Sequence, residues 1–457
     1  MNSPDRERGA SAGATPPVRA SALLRVRSVW LAPTVSAAVL MFFMALFYIG
    51  AVVNPAGHLS GLPVDLVNED HGATVRGSQV SLGAEVASGL RRSRAVTSRL
   101  SIDQVPLASA EAQLNSNATF AAIVIPPDFT ASLLSAYRLA PASAGKPTAE
   151  LLTSPRAGSI GVQLATGVAQ PALYAASLQI GHRLSAEAAG LGRAARPGIN
   201  AANPVAVATS VFRPLPPDSA LGLSAFYISL LSIMCGFMGA VVVNSSIDAA
   251  LGYGSSEIGP RWRQRMPVAI SRWQTLLAKW SVALVTVPVL TAVLLLVSVA
   301  LLHMNAPHAG QLWLFTTFAG IAIAVGTLAL FAVFGALGQL LAMLLFVYLA
   351  LASSGGTIPV QALPSFFRFA ASFEPLRQVL GAVQAILYFN AQADAGLARG
   401  VVLTAIGLVF WVIVGIAVTR WYDRKGLARI QPNVLDFLHR SARAYIAAEK
   451  DQPPGGT

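Results

Sequence analysis

The side chains with the most chemical potential in this sequence are polar groups set inside long apolar stretches. Asn244 lies near the end of the apolar run Leu221–Ser246, and Asp248 follows it by one helical turn. Gln339 sits within Leu312–Ser353, and Gln274 and Lys279 open the run Leu276–Leu302. A polar group at membrane depth is costly, so it marks a transport path or an interhelical hydrogen bond. Lys279 has a third option, which is to snorkel toward the headgroups. Between the second and third runs, Gly259-Pro260-Arg261-Trp262-Arg263 is a basic segment. It is expected to form a coupling helix that docks a partner subunit, or else a loop whose arginines only set topology. Glu374 and Arg377 are spaced to pair on one helix face. They read as a gate or substrate contact, or as an exposed ion pair worth under about 1 kcal/mol. Asn68-Glu69-Asp70, before Gly72, suits either a cation or basic partner, or a turn capped by Asp and Gly.

Motifs for bond-breaking chemistry are missing. A phosphate-binding loop needs G-x-x-x-x-G-K-[ST], and the Gly145-Lys146 pair has Ala140 and Pro147 where Gly and Ser or Thr belong. His58, His71, His182, His303, His308 and His439 are scattered, and none pairs at metal-binding spacing with a carboxylate. No G-x-S-x-G elbow occurs. No catalytic residue, metal or cofactor is therefore expected, and the protein reads as a non-enzyme. Cys235 is the single cysteine, so no internal disulfide can form and a packing role is expected.

The elements that position these groups are membrane spans. Five stretches reach or exceed the roughly 20 residues an apolar helix needs to cross the hydrocarbon: Leu31–Val53, Leu221–Ser246, Leu276–Leu302, Leu312–Ser353 and Gly400–Thr419. The fourth is long enough for two spans, which gives six. Hydrophobic residues make up 54% of the chain and charged residues 11%, against about a quarter charged in soluble proteins. The formal charge of +12 is split among Arg6–Arg27, Arg261–Arg272 and Arg420–Lys450, whereas His303–Gln311 has no Lys or Arg. This split argues against nucleic-acid binding and fits contact with a lipid bilayer. The positive-inside rule places both termini and the Arg261–Arg272 loop in the cytoplasm of a plasma membrane protein. Leu31–Val53 is longer than a signal-peptide core and reads as an uncleaved anchor.

The expected fold is a polytopic α-helical membrane protein with six transmembrane helices and a small α/β extracytoplasmic domain between helices 1 and 2. Residues 1–28 form a cytoplasmic tail without periodicity, 29–53 the first helix, 54–218 the outer domain and 219–422 a five-helix membrane domain. Residues 354–396 are an outward interfacial segment containing helices over Phe366–Tyr388, and 423–457 a cytoplasmic tail with an amphipathic helix over Pro432–Glu449. In the outer domain, Pro63–Asn68, Phe120–Ile125 and Ala149–Thr153 read as strands. Ser78–Leu100, Ser109–Asn115, Asp128–Tyr137 and Gly158–Ala189 read as helices, the last kinked or broken at Pro171. Residues 190–218 read as an extended connector. Alternating strands and helices imply one sheet.

Two outer-domain motifs carry a family resemblance. Leu66-Val67-Asn68-Glu69-Asp70-His71-Gly72 resembles the opening of the phage infection protein (Pip) group. Phe120-Ala121-Ala122-Ile123-Val124-Ile125-Pro126-Pro127-Asp128-Phe129 is similar to that group's strand-to-helix element. The group belongs to the ABC type-2 permease superfamily, and this chain looks closest to its branch with a fungal nitrosoguanidine-resistance membrane protein. The resemblance implies a permease-like export component that works as a homodimer, with a separate ATPase subunit because this chain has none. The cargo would be small lipophilic or toxic compounds, or envelope components. The alternative it implies is a non-transporting receptor or secretion-accessory protein whose outer domain binds a partner. It carries over no catalytic residues.

Overall fold

The computed structural model describes residues 27–75, 77–140, 146–263, 265–430, 436–437 and 440–441. The N-terminal tail and the amphipathic helix expected over Pro432–Glu449 lie almost wholly outside these residues.

Helix α1 (Arg27–Val52) leads into the α/β domain. There the elements run β1 (Leu62–Asn68), β2 (Ala73–Val75), β3 (Ser78–Val80), α2 (Leu82–Arg92), β4 (Leu100–Gln104), α3 (Leu107–Asn115), β5 (Ala121–Ile125), α4 (Phe129–Ala136), β6 (Thr148–Thr153), α5 (Ser159–Gly190) and β7 (Ala206–Val211). Five strands form one sheet in the order β4-β1-β5-β6-β7. β1 is parallel to both β4 and β5, β6 is antiparallel to β5, and β7 is parallel to β6. Leu62, Val64, Leu66, Ala121, Ile123 and Ile125 face the core shared with α2, α4 and α5. Val67, Ala122 and Val124 face Ala110 and Leu114 of α3 on the other side. A sheet covered on both faces needs continuous apolar strands, which explains the unalternating run at Phe120–Ile125.

Three expectations change. The single helix over Ser78–Leu100 is interrupted, because Ser78–Val80 pairs with Ala73–Val75 as a hairpin and Leu100 opens β4. Ser81 then caps α2 by accepting from Ala84 N. The connector over 190–218 contains β7, an edge strand so exposed that it leaves little apolar pattern. α5 runs through Pro171 as one helix. A proline removes one local hydrogen bond, and the long helix keeps its remaining ladder.

The bundle follows with α6 (Ser224–Ala250), the hairpin strands β8 (Ser256–Ile258) and β9 (Arg261–Arg263), α7 (Arg272–Leu295, extended by a π-helical turn), α8 (Ala309–Phe334) and α9 (Ala336–Met343, continuing through a π turn to Ser353). After it come α10 (Ser365–Ala370), α11 (Pro375–Tyr388) and α12 (Ala398–Arg424). Five helical segments, Ser224–Ala250, Arg272–Leu301, Ala309–Phe334, Ala336–Ser353 and Ala393–Arg424, are long and apolar enough to cross a membrane. α1 carries the shorter apolar stretch Ala37–Val52. The run Leu312–Ser353 is split at Gly335, whose φ of 60° and ψ of −131° make a one-residue reversal between α8 and α9.

Lipid tails offer no hydrophobic gain between helices, so close packing and hydrogen bonds hold the bundle. Gly236 of α6 and Gly320 of α8 meet so closely that a Cβ on Gly236 would lie 2.3 Å from the Gly320 carbonyl oxygen. Trp280 Nε1 donates to Val325 O at 3.2 Å, and the Thr291 and Thr317 hydroxyls share a 2.7 Å bond. α11 is enclosed by α6, α8 and α12, with Leu376, Val379, Leu380, Val383 and Ile386 buried. This segment is therefore not a helix lying on a surface. The α/β domain is seated on residues 354–392. Ser60 N donates to Gln361 O, Arg368 Nη2 to His58 O, and Arg156 Nη1 to Tyr388 O.

Candidate functional site

A buried charged cluster occupies the end of the bundle away from the α/β domain. Asn244 and Asp248 are four apart on α6, so they share a helix face. Asp248 belongs to the last turns of α6 rather than to the following loop. α7 returns alongside α6 and brings Lys279 against both. Lys279 Nζ lies 2.7 Å from Asp248 Oδ1 and donates to Asn244 Oδ1 at 2.7 Å. Arg429, just beyond α12, forks onto the same carboxylate, with Nη1 at 2.6 Å from Oδ1 and Nη2 at 3.0 Å from Oδ2. This bidentate geometry is the strong form of an arginine–carboxylate pair. The Arg429 guanidinium also lies over the Tyr253 ring, 4.5 Å from its centroid.

The cluster is braced from α12. Asp423 accepts from Arg272 N at 2.9 Å and Trp273 N at 3.1 Å, which caps the open N-terminus of α7 from another helix. Arg272 Nε donates to Leu427 O at 2.6 Å. α6, α7 and α12 are thereby tied at one point.

Lys279 is only 6% exposed, so it is not snorkelling. Asn244 and Asp248 meet its ammonium inside the bundle, where an unpaired charge would be strongly disfavoured. Beside it is a cavity of about 290 Å³ lined by Asn244, Asp248, Arg272, Lys279, Gln339 and Arg429. Gly335 also lines it, so the reversal between α8 and α9 is at its wall. Three cationic side chains (Arg272, Lys279, Arg429) face one carboxylate (Asp248) there. Such a lining can receive an anionic or hydrogen-bond-accepting group, and it can change its internal pairing as helices move.

Of the residues singled out from the sequence, the structure brings Asn244, Asp248 and Gln339 together. Arg261 and Arg263 stand apart, on the strand β9. They are exposed and do not lie on a coupling helix. Ser256–Ile258 and Arg261–Arg263 pair antiparallel about Gly259-Pro260. Gly259 adopts φ 58° and Pro260 has no N–H to give a helix, so the segment turns.

Glu374 and Arg377 lie near the α/β domain, at the opposite end of the bundle. Glu374 is buried and caps α11, accepting from Leu376 N at 2.8 Å and Arg377 N at 2.9 Å. Its carboxylate is occupied by backbone, and among the described residues no ion pair joins it to the Arg377 side chain.

In the α/β domain, Asn68 Oδ1 accepts from Asp70 N at 3.3 Å. Asp70 turns inward and accepts from Ser81 Oγ (2.7 Å), Gly83 N (3.0 Å), Thr130 Oγ1 (2.6 Å) and Thr130 N (2.9 Å). It pins the starts of α2 and α4 to the end of β1, and its oxygens are not free for a partner. Partial burial alone would raise its carboxyl, but the bonds from Thr130, Ser81 and Gly83 outweigh that and hold it below the ordinary value. Glu69 is partly exposed beside it.

Sequence reasoning missed Arg429 and Arg272 as members of the cluster. Arg429 is 181 residues from Asp248, and no local spacing links them. It also missed Asp65 on β1, which is 2% exposed with an unpartnered Oδ2. Burial, then the neighbouring Asp103, pushes the Asp65 carboxyl up to about 7. Its signal was visible as one carboxylate inside the apolar strand Pro63–Asn68.

An α/β domain on a bundle of membrane-length helices, with charges paired inside that bundle, defines a multi-pass helical membrane protein. The chain belongs to the DUF3533 family, described as a protein of unknown function, whose family match covers residues 34–417. Neither the curated proteins nor the solved structures gave a match.

Proposed function

We propose that this protein is a permease-like export component that moves small lipophilic or toxic compounds, or envelope components, outward across the plasma membrane. The observation that carries the reading is the Asp248–Lys279–Arg429 cluster beside its cavity. Ionisable groups inside a membrane bundle are expensive, and they persist where a path or a moving contact needs them. A simple anchor has no use for three charges, and apolar packing would serve it as well or better.

Further support comes from the fold. The chain reverses between α8 and α9 at the cavity wall, and α7 and α9 each continue through a π-helical turn. Such turns are frequent at functional positions of helices. With α1 taken as the first of six spans, the arginines flanking the bundle support a cytoplasmic side for both termini and the cavity. The α/β domain then faces outward and receives the cargo. The energy comes from a separate ATPase subunit, which docks on the exposed β8–β9 hairpin carrying Arg261 and Arg263. The functional unit is a homodimer.

The test is drug accumulation in a deletion strain complemented with the wild type, Asp248→Ala, Lys279→Met or Arg263→Ala. The panel holds alkylating agents, dyes and lipophilic antibiotics. The wild type is expected to lower intracellular drug, with the Asp248 and Lys279 variants inactive at equal membrane abundance. Accumulation that is unchanged by the deletion for every compound rejects the reading and favours a receptor or secretion-accessory protein.

A further inference from the structure

A second cavity, in the α/β domain, lies far from the charged cluster. It is a groove of about 610 Å³ between α2 with its following turn and the long helix α5. That volume is in the range that accepts a small organic molecule. Its floor is apolar, from Val86, Leu90, Val96, Val168, Ala172 and Ile180. Glu85 and Arg183 meet across it at 2.8 Å and cancel each other's charge. Arg99 also lines the groove and is exposed, and among the described residues no hydrogen bond or ion pair reaches its guanidinium. The groove therefore offers one uncompensated cation beside an apolar floor. The local charge reinforces this sign, since residues 82–100 hold Arg91, Arg92, Arg94 and Arg99 against Glu85 alone.

The residues that keep the groove open are poor helix formers. Gly89 is inside α2 and Gly167 inside α5, and a Cβ on either would meet open space. No close approach requires glycine at these two positions, and glycine is disfavoured in helix interiors. Pro171, also in the groove wall, has no N–H for the Gly167 carbonyl one turn back. Width, an apolar floor and a free cation coincide in one place.

We propose that this groove binds a small amphiphilic anion, with the hydrocarbon body along the floor and the anionic head on Arg99. The inference stands apart from the transport reading, since it concerns equilibrium binding by the outer domain.

The experiment uses the full chain in zwitterionic nanodiscs, with empty nanodiscs as reference. Anilinonaphthalene sulfonate is the fluorescent probe, displaced by octanoate, octanol or octylammonium. Saturable binding above the empty-disc signal is expected, with octanoate displacing the probe at about tenfold lower concentration than octanol, as one charge-assisted contact implies. Arg99→Gln should abolish the octanoate advantage while leaving octanol unchanged. Gly89→Leu with Gly167→Leu should fill the groove and remove binding. Because both changes raise helix propensity, the unfolding temperature should stay level or rise, which separates groove filling from misfolding. Binding equal to empty nanodiscs, or unchanged in the double variant, overturns the proposal. So does displacement by octylammonium as effective as by octanoate. None of these readings depends on drug efflux, so each claim can fail alone.

Discussion

Replacing Asp248 with Asn tests whether the charged cluster is an energetic unit. The substitution keeps the shape and removes the one negative charge, leaving Lys279 and Arg429 side by side. The side chains of Lys279, Asp248 and Arg429 are 8%, 14% and 29% exposed. Removing one member of a buried pair costs about 3–5 kcal/mol. The cavity beside Arg429 lets part of that charge reach water, so the expected loss is at the low end, about 3 kcal/mol. Lys279→Met alone should cost less, about 1 kcal/mol, because Asp248 keeps its fork to Arg429. Combining Asp248→Asn with Lys279→Met should recover about 2 kcal/mol relative to simple addition, since the stranded ammonium is gone. The assay is equilibrium unfolding of the four proteins in mixed micelles, followed by circular dichroism against denaturing detergent. Effects that add to within about 0.5 kcal/mol would mean the residues do not share an energy. The reasoning from the cluster would then be refuted.

Three other outcomes follow from the packing and titration of particular residues. Asp65 is protonated more readily in the folded domain than its ordinary value of 3.8, with its carboxyl near 7. The folded state thus binds the extra proton between those values, and stability falls as pH rises from about 4 to 7. Asp65→Asn should raise the unfolding temperature at pH 8, with a gain that shrinks toward zero at pH 4; an equal gain at both would remove Asp65 as the cause. Asp70 has the opposite sign, its carboxyl being held below the ordinary value. Its contribution is present above about pH 4 and is lost as pH falls through the folded value. Asp70→Ala should cost about 2–4 kcal/mol, because two helix starts lose their acceptor. Pulse proteolysis, read on fragments of the α/β domain in the full chain, would report this at neutral pH. Gly236→Ala forces a Cβ into contact with the Gly320 carbonyl and should cost about 1–3 kcal/mol by overpacking. Gly407→Ala in α12, where a Cβ meets open space, should be neutral or stabilising; equal losses at both sites would show that the α6–α8 crossing is not the constraint.

The apolar runs of the bundle were legible because each needs only its own composition to be recognised. The break at Gly335 was not, although the length of Leu312–Ser353 required one somewhere, because a glycine's φ is chosen by what surrounds it. In the α/β domain, β1 announced itself through alternation between flanking glycines and β5 through its continuous apolar run. β4 and β7 stayed hidden because they are edge strands whose pairing, not their side chains, makes them strands. The site divides along the same line. Asn244, Asp248 and Gln339 were visible as polar residues out of place in apolar sequence. Arg429 looked like any arginine after a last span, because only the folded chain returns the segment after α12 to the end of α6. Lys279 shows the limit most clearly. Its side chain is long enough to snorkel or to turn inward, and its sequence neighbours suit either. What decides is the carboxylate on the adjacent helix, 2.7 Å away. A charge in a membrane helix is therefore legible as a question in the sequence, and its partner, supplied by tertiary packing, is the answer. Glu374 makes the converse point. Its spacing to Arg377 suggested a side-chain pair, yet the backbone N–H groups at the start of α11 were nearer claimants on its carboxylate. Local spacing proposes pairs, and unsatisfied backbone at a helix end takes precedence over them.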